Sequence, residues 1–200
     1  MYFFLIYDNT YYMFIKRLFD IALALFLIPI VILPSLIIIL MIIIETKAPP
    51  IFFSKRVGKN NILFLMPKFR TMSQNSPQVA THLLKNSHLY ITRLGVFLRK
   101  TSLDEIPQIF SVLIGQMSFV GPRPALFNQY DLIKLRQKNN IHLLIPGITG
   151  WAQINGRDDI SINKKVEMEI FYKNNVNLLL DLKIILLTIL KVFKMHNIKH

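Results

Sequence analysis

The sequence predicts a mostly helical α+β fold: a membrane-embedded N-terminal helix, then a small domain with amphipathic interfacial helices. Three observations carry this. From Ile21 to Ile44 there are 24 residues without a charge. The next segment, "IFFSKRVGKNNILFLMPKFRTM", reads as short strands around a Gly-Lys-Asn-Asn turn. Beyond it, helical segments alternate with Pro- and Gly-rich connections.

The elements follow in order. Residues 1–15, "MYFFLIYDNTYYMFI", form an aromatic segment suited to the headgroup level. Residues 16–47 are the membrane-embedded helix. The charge-free run would extend roughly 36 Å as a helix, enough for a hydrocarbon core of about 30 Å. It is too long for a secretory signal, and no small-residue cleavage site follows. Lys16 and Arg17 precede it; Lys47, Lys55, Arg56 and Lys59 follow. Basic residues mark the cytoplasmic flank, and here both flanks are basic. Pro29 and Pro34 interrupt the run, and each removes a backbone donor. A bent helix returning to its own side would satisfy both features. Residue chemistry alone still favours a plain span, because membrane helices tolerate proline.

Residues 48–200 make up the domain. "SQNSPQVATH" reads as a polar loop, "LYITRLGVFLRKTS" as a helix with a loop after it, and "DEIPQIFSVLIG" as a second helix ending near Gly115. "FVGPRP" is expected to be irregular, since proline resists regular pairing. "ALFNQYDLIKLRQKNN" and "INKKVEMEIFYKNN" read as helices, separated by a Gly-rich loop region, "IPGITGWAQINGRDD". The segment 178–194 is a long apolar helix carrying Asp181, Lys183 and Lys191. Its charges and length suit packing on the domain or lying on a membrane better than spanning one.

The 200-residue chain has no cysteine and five scattered histidines, which excludes disulfide, thiolate and Cys-based metal chemistry. A net charge of +13 favours anionic partners without choosing among them. Between Thr46 and Tyr130 there are eleven Lys or Arg residues and two acids, the adjacent Asp104 and Glu105. Ser102 and Glu105 have capping-box spacing, so helix capping is the simpler local reading. It does not require Asp104. A functional reading uses the same geometry. Cations should hold both acids ionised. A Mg²⁺ ion commonly joins one or two carboxylates to substrate phosphates, and the remaining carboxylate can attack phosphorus. Lys68 and Arg70, at i and i+2 of a strand, would share a face. Arg99 lies just ahead of the dyad, and Arg123 stands between two prolines in "GPRP". Each alone reads first as a solvated surface charge; together with the acid pair they suit phosphate contacts. "PGITGWAQINGR" lacks phosphate-loop and dinucleotide spacing, and "RDD", 157–159, reads as ordinary turn residues.

Taken together, "FIKRLFD", "KFRTM", "RKTSLDEIPQ", "MSFVGPRP", "PGITGWAQINGR" and "LLLDLKIILLTILK" resemble, in order, the bacterial sugar transferase family. These are monotopic phosphoglycosyl transferases, or polyprenol-phosphate hexose-1-phosphate transferases, and the likeness is to their small single-domain form. The resemblance implies transfer of a sugar-1-phosphate from a UDP-sugar to a polyprenol phosphate such as undecaprenyl phosphate, with release of UMP. This step initiates a surface glycan. It implies Asp104 as covalent nucleophile, and Asp104 and Glu105 as ligands for Mg²⁺. Lys68, Arg70, Arg99, Arg123, Lys16 and Arg17 would bind phosphate or substrate. It also implies a re-entrant membrane helix broken at Pro34, reversing the preference for a plain span. The catalytic domain would then face the cytoplasm at a bacterial inner membrane. Membrane lipid and downstream glycosyltransferases are the further partners; nucleic acid is not. Two departures stand out. Leu33-Pro34 replaces the family's Ser-Pro, and Ile114-Gly115-Gln116 replaces its Lys-Gly-Asp. The competing readings are a membrane-tethered nucleic-acid binder, suggested only by charge, and a non-catalytic membrane scaffold.

Overall fold

A computed structural model of the protein describes residues 2–74, 76, 90–156 and 160–193, with side chains from Tyr11 to Val192. Most of the polar loop expected at 73–82, and the Arg-Asp-Asp triplet at 157–159, lie outside the described residues.

Helix α1 runs from Tyr2 to Thr46 and contains both Pro29 and Pro34. It joins the aromatic segment and the anchor without interruption, so Pro34 is not a break in the helix. Its outer face carries exposed Leu25, Phe26, Ile30, Leu33, Ile37, Leu40 and Ile44, a surface that water does not solvate well. One stretch, Tyr11–Thr46, is long and apolar enough to cross a membrane. The opposite face meets the domain around Ala24 and again around Ile38 and Ile42. Ala24 is buried in the core with Val112, Met117 and Val120. Ile38 and Ile42 are buried with Phe69 and Leu98.

Strands β1 (Ile51–Val57) and β2 (Leu63–Phe69) form an antiparallel hairpin, pairing Phe52 with Lys68 and Arg56 with Phe64. The turn between them contains Asn60 and Asn61, both at positive φ, a conformation that asparagine tolerates. Helix α2 (Arg93–Thr101) starts on Thr92, whose side chain accepts from the Gly95 amide. Gly95 lies against Thr71: a Cβ there would sit 2.1 Å from the Thr71 carbonyl oxygen. After α2 come a short turn, Leu103–Glu105, and helix α3, Gln108–Leu113.

Strand β3 (Ser118–Val120) pairs in parallel with β5 (Gly147–Thr149), and β4 (Ala125–Leu126) joins the far edge of β1. Helix α4 is Tyr130–Lys138. The Gly-rich region expected to be loop thus holds a strand, and then α5 (Trp151–Asn155). "FVGPRP" is likewise only partly irregular, because its Phe-Val lies in β3. The physical reason is close backbone approach. A Cβ on Gly147 would stand 2.1 Å from the Gly121 amide nitrogen, and one on Gly121 would stand 2.4 Å from the Ile145 carbonyl oxygen. The glycines of the two motifs permit the pairing of β3 with β5. Helices α6 (Ile162–Asn174) and α7 (Leu178–Phe193) complete the chain. Helix α7 buries Asp181 and Ile184 and exposes Leu179, Leu182, Leu186 and Leu190, so it packs on the domain along one side only.

Candidate active site

Asp104 and Glu105 sit in the turn between α2 and α3. Ser102, which ends α2, has φ 59° and ψ 16°, a left-handed conformation that costs a non-glycine residue energy. Its side chain makes no cap bond to the turn. The capping box expected of Ser102 and Glu105 is therefore absent, because the left-handed backbone spends Ser102 on closing α2. Glu105 instead faces two cations. Lys68 Nζ donates to its Oε1 at 2.7 Å, and Arg123 Nη2 donates to the same oxygen at 2.6 Å. Arg123 Nη1 reaches Oε2 at 3.4 Å. Asp104 has a weaker partner: Lys68 Nζ lies 3.5 Å from its Oδ2.

Each cation comes from a different element. Lys68 is near the end of β2. Arg123 lies on the link from β3 to β4, between the two sheets. That link is braced from behind: Arg136 Nη2 donates to the Arg123 carbonyl at 2.9 Å, while Arg136 Nε donates to Glu169 at 2.8 Å. Arg99 projects from α2, donates to Thr71 Oγ1 at 2.9 Å, and acts on Asp104 through its charge.

The two carboxylates are unequal. Burial alone would raise Glu105, but the Arg123 and Lys68 charges and hydrogen bonds outweigh it and hold its carboxyl well below the usual range. Asp104 moves the other way. Burial pushes it up, the Glu105 charge adds to that, and Lys68, Arg123 and Arg99 only partly offset it. The expectation that cations would depress both acids holds for Glu105 and is corrected for Asp104, where desolvation wins. Asp104 keeps 11% side-chain exposure and Glu105 15%. The dyad does not line either of two shallow cavities, one beside Pro122 and His142 and one beside Tyr12 and Tyr172.

The remaining residues tied to phosphate by the sequence go elsewhere. Arg70 donates through Nε to the Pro49 carbonyl at 2.6 Å and lies over the Phe52 ring. It follows β2, so alternation with Lys68 does not carry it to the dyad. Lys16 is buried against Asp181 at 2.6 Å. Arg17 donates to the carbonyls of Val112 and Leu113 at the far end of α3. Around Asp181 lies a cluster that the sequence reading missed. Tyr12 and Tyr172 donate to it at 2.8 and 2.7 Å, and nearby Asp20 accepts from the Phe119 amide at 3.1 Å. The available signal was a lone acid in the first turn of a largely apolar helix, which needs a partner if it is buried.

Among the described residues no group of three or more His, Cys, Asp or Glu side chains stands together. Two adjacent carboxylates, one with a weakly engaged oxygen, do fit a hard cation whose other ligands are waters and substrate phosphates.

A buried acid pair ringed by cations, on a frame with a helix long and apolar enough to cross a membrane, suits an enzyme acting on anionic substrates. The chain belongs to the bacterial sugar transferase family, which it matches over residues 11–195. It is 40% identical over 180 residues to the uncharacterized sugar transferase EpsL of Bacillus subtilis, covering 90% of this chain and 88% of that one. It is 42% identical over 195 residues to a UDP-glucose:undecaprenyl-phosphate glucose-1-phosphate transferase of Klebsiella pneumoniae, covering 92% of this chain and 41% of that one. A UDP-N-acetylgalactosamine-undecaprenyl-phosphate N-acetylgalactosaminephosphotransferase of Aeromonas hydrophila is 38% identical over 186 residues, 89% of this chain and 43% of that one. The chain thus spans most of EpsL and less than half of the other two.

Proposed function

We propose that the protein transfers a sugar-1-phosphate from a UDP-sugar to a polyprenol phosphate, with undecaprenyl phosphate as acceptor and UMP as leaving group. One observation carries the reading: Glu105 absorbs the direct bonds of Lys68 and Arg123, while Asp104 beside it keeps an oxygen without a close partner among the described residues. The first is a neutralised carboxylate, and the second is a desolvated nucleophile.

Asp104 attacks the phosphorus that bears the sugar. The bond from that phosphorus to the bridging oxygen breaks, and UMP departs with the electron pair. An acyl phosphate now links Asp104 to the sugar phosphate. An oxygen of the lipid phosphate then attacks the same phosphorus, the bond to Asp104 breaks, and a lipid diphosphate sugar forms. Lys68, Arg123 and Arg99 supply the positive field. As substrate phosphates claim Lys68 and Arg123, the Glu105 oxygens come free, and with Asp104 they would hold Mg²⁺. When bound, that ion neutralises phosphate charge that would otherwise repel the carboxylates.

Two separate stretches of α1 touch one body. Arg17 and Asp20 bond to α3 and β3, and near the C-terminal end Glu45 Oε1 accepts from the Leu94 amide at 3.3 Å. This supports a helix whose two contact stretches lie on the cytoplasmic side of an inner membrane, reached by bending at Pro29 and Pro34 rather than by a break. Cysteines at positions 10 and 60 should then be labelled from the same side, and labelling from opposite sides would establish a plain span.

Asp104→Asn tests the chemistry. We expect UMP release to fall by at least about 10³-fold, as for loss of an enzymatic nucleophile. Near-normal turnover would rule out the nucleophile assignment. The structural alternative, in which the dyad merely caps a helix, finds no support in the unbonded Ser102 side chain.

A further inference from the structure

We propose that Arg17, in the anchor helix, is a positioning residue for the catalytic turn, acting through α3. This rests on the reading of Asp104 as nucleophile.

Helix α3 has six residues, Gln108–Leu113, and follows the dyad after Ile106 and Pro107. A helix leaves its last four carbonyls without intrahelical partners, and in so short a helix they are most of its length. Three find backbone donors: Phe110 from Ile114, Ser111 from Met117, and Val112 from Gly115. Leu113 takes its bond from Arg17 Nη2 at 2.7 Å, and no other described donor reaches it. Arg17 Nη1 also donates to Val112 at 2.6 Å. The guanidinium therefore closes the C-terminus of α3 as a two-pronged fork, at the negative end of the helix dipole. Gly115, at φ +84°, passes beside it: a Cβ there would stand 3.5 Å from Arg17 Nη2.

Arg17 is itself held in place. The preceding residue, Lys16, is bonded to buried Asp181, and Asp20 holds the Phe119 amide of β3. One turn of α1 thus fixes α3 and β3, the elements that run to Asp104 and to Arg123. Helix α3 is only roughly 9 Å long, and its first turn carries buried Gln108 and Ile109. Loosening its far end displaces the dyad, and a misplacement of about 1 Å can cost on the order of 10²-fold in rate. The membrane anchor therefore does more than tether the enzyme: it seats the nucleophile.

The test uses the full chain in lipid nanodiscs, with UDP-glucose or UDP-N-acetylgalactosamine and undecaprenyl phosphate. For Arg17→Ala we expect kcat lower by about 10²-fold, with KM for both substrates within about threefold. Added methylguanidinium should restore at least about tenfold of that loss, because it refills the fork. Arg17→Lys keeps the charge but reaches one carbonyl at a time, so its kcat should fall between the two. Amide exchange over residues 103–115 should quicken in both variants, a readout that needs no substrate. A raised KM for either phosphate substrate with normal kcat would make Arg17 a phosphate contact and overturn the proposal. So would unchanged exchange, or normal kcat in the folded fraction without guanidinium rescue. A fully active Asp104→Asn protein would sink the nucleophile reading instead, whatever Arg17 does.

Discussion

Two buried charge clusters, built from similar parts, behave differently. Asp181 is fully buried and receives three donors: Lys16, Tyr12 and Tyr172. Asp104 is almost as buried, yet its nearest cation among the described residues stands 3.5 Å away and is shared with Glu105. In the first cluster every lone pair that matters is engaged, and the carboxylate acts as a rivet between α1, α6 and α7. In the second the protein surrounds a carboxylate with cations and then directs their bonds to its neighbour. The lesson is that burial does not distinguish a structural acid from a reactive one. The number of direct donors does.

That contrast can be broken in three places. The largest stability effect belongs to Asp181→Asn. Removing one partner strands buried Lys16, so the fold should lose about 3–5 kcal/mol by chemical denaturation in lipid or detergent. Replacing both charged partners, Lys16→Met with Asp181→Leu, removes the stranded charge but leaves the Tyr12 and Tyr172 hydroxyls without their acceptor, so it should recover only part of that loss. Glu105→Gln comes next. Because its folded carboxyl is held low, Glu105 contributes stability above its ordinary value of 4.5, and this is lost as pH falls through the depressed folded value. The substitution should cost on the order of 2 kcal/mol at neutral pH, less than for a fully buried pair because the Arg123 side chain is 34% exposed. It should also weaken the response of turnover to Mg²⁺. The smallest effect has the opposite sign. Asp104 is raised above its ordinary 3.8, so its ionised form opposes folding once pH exceeds the folded value, and the penalty is absent below 3.8. Asp104→Asn should therefore stabilise the protein at neutral pH, by about 0.5–2 kcal/mol, while abolishing turnover. A melting temperature lower than that of the parent would place Asp104 with the rivets.

Much of this was legible in the sequence, for physical reasons that also mark where legibility stopped. The charge-free run, the hairpin and helix α7 follow from local composition and periodicity, and the structure reproduces them. The convergence of Lys68, Arg99 and Arg123 on the dyad could only be guessed from charge, since nothing local brings β2, α2 and a proline-flanked link together. Ser102 misled because capping-box spacing says nothing about backbone hand. The Gly-rich motifs misled because glycine serves backbone contact as often as it serves loops, and here Gly121 and Gly147 let two chains touch. Lys16 and Arg17 looked like free basic residues on a membrane flank. Their partners, Asp181 and the end of α3, lie some 95 to 165 positions away, beyond any local pattern.

The most direct measurement is of the covalent adduct. The protein, incubated with a UDP-sugar and no lipid acceptor, should release UMP in a burst of about one equivalent and gain the mass of a sugar phosphate on the peptide containing Asp104. Adding undecaprenyl phosphate should discharge it. Absence of any adduct while turnover proceeds, or an adduct that survives in Asp104→Asn, would contradict the central claim.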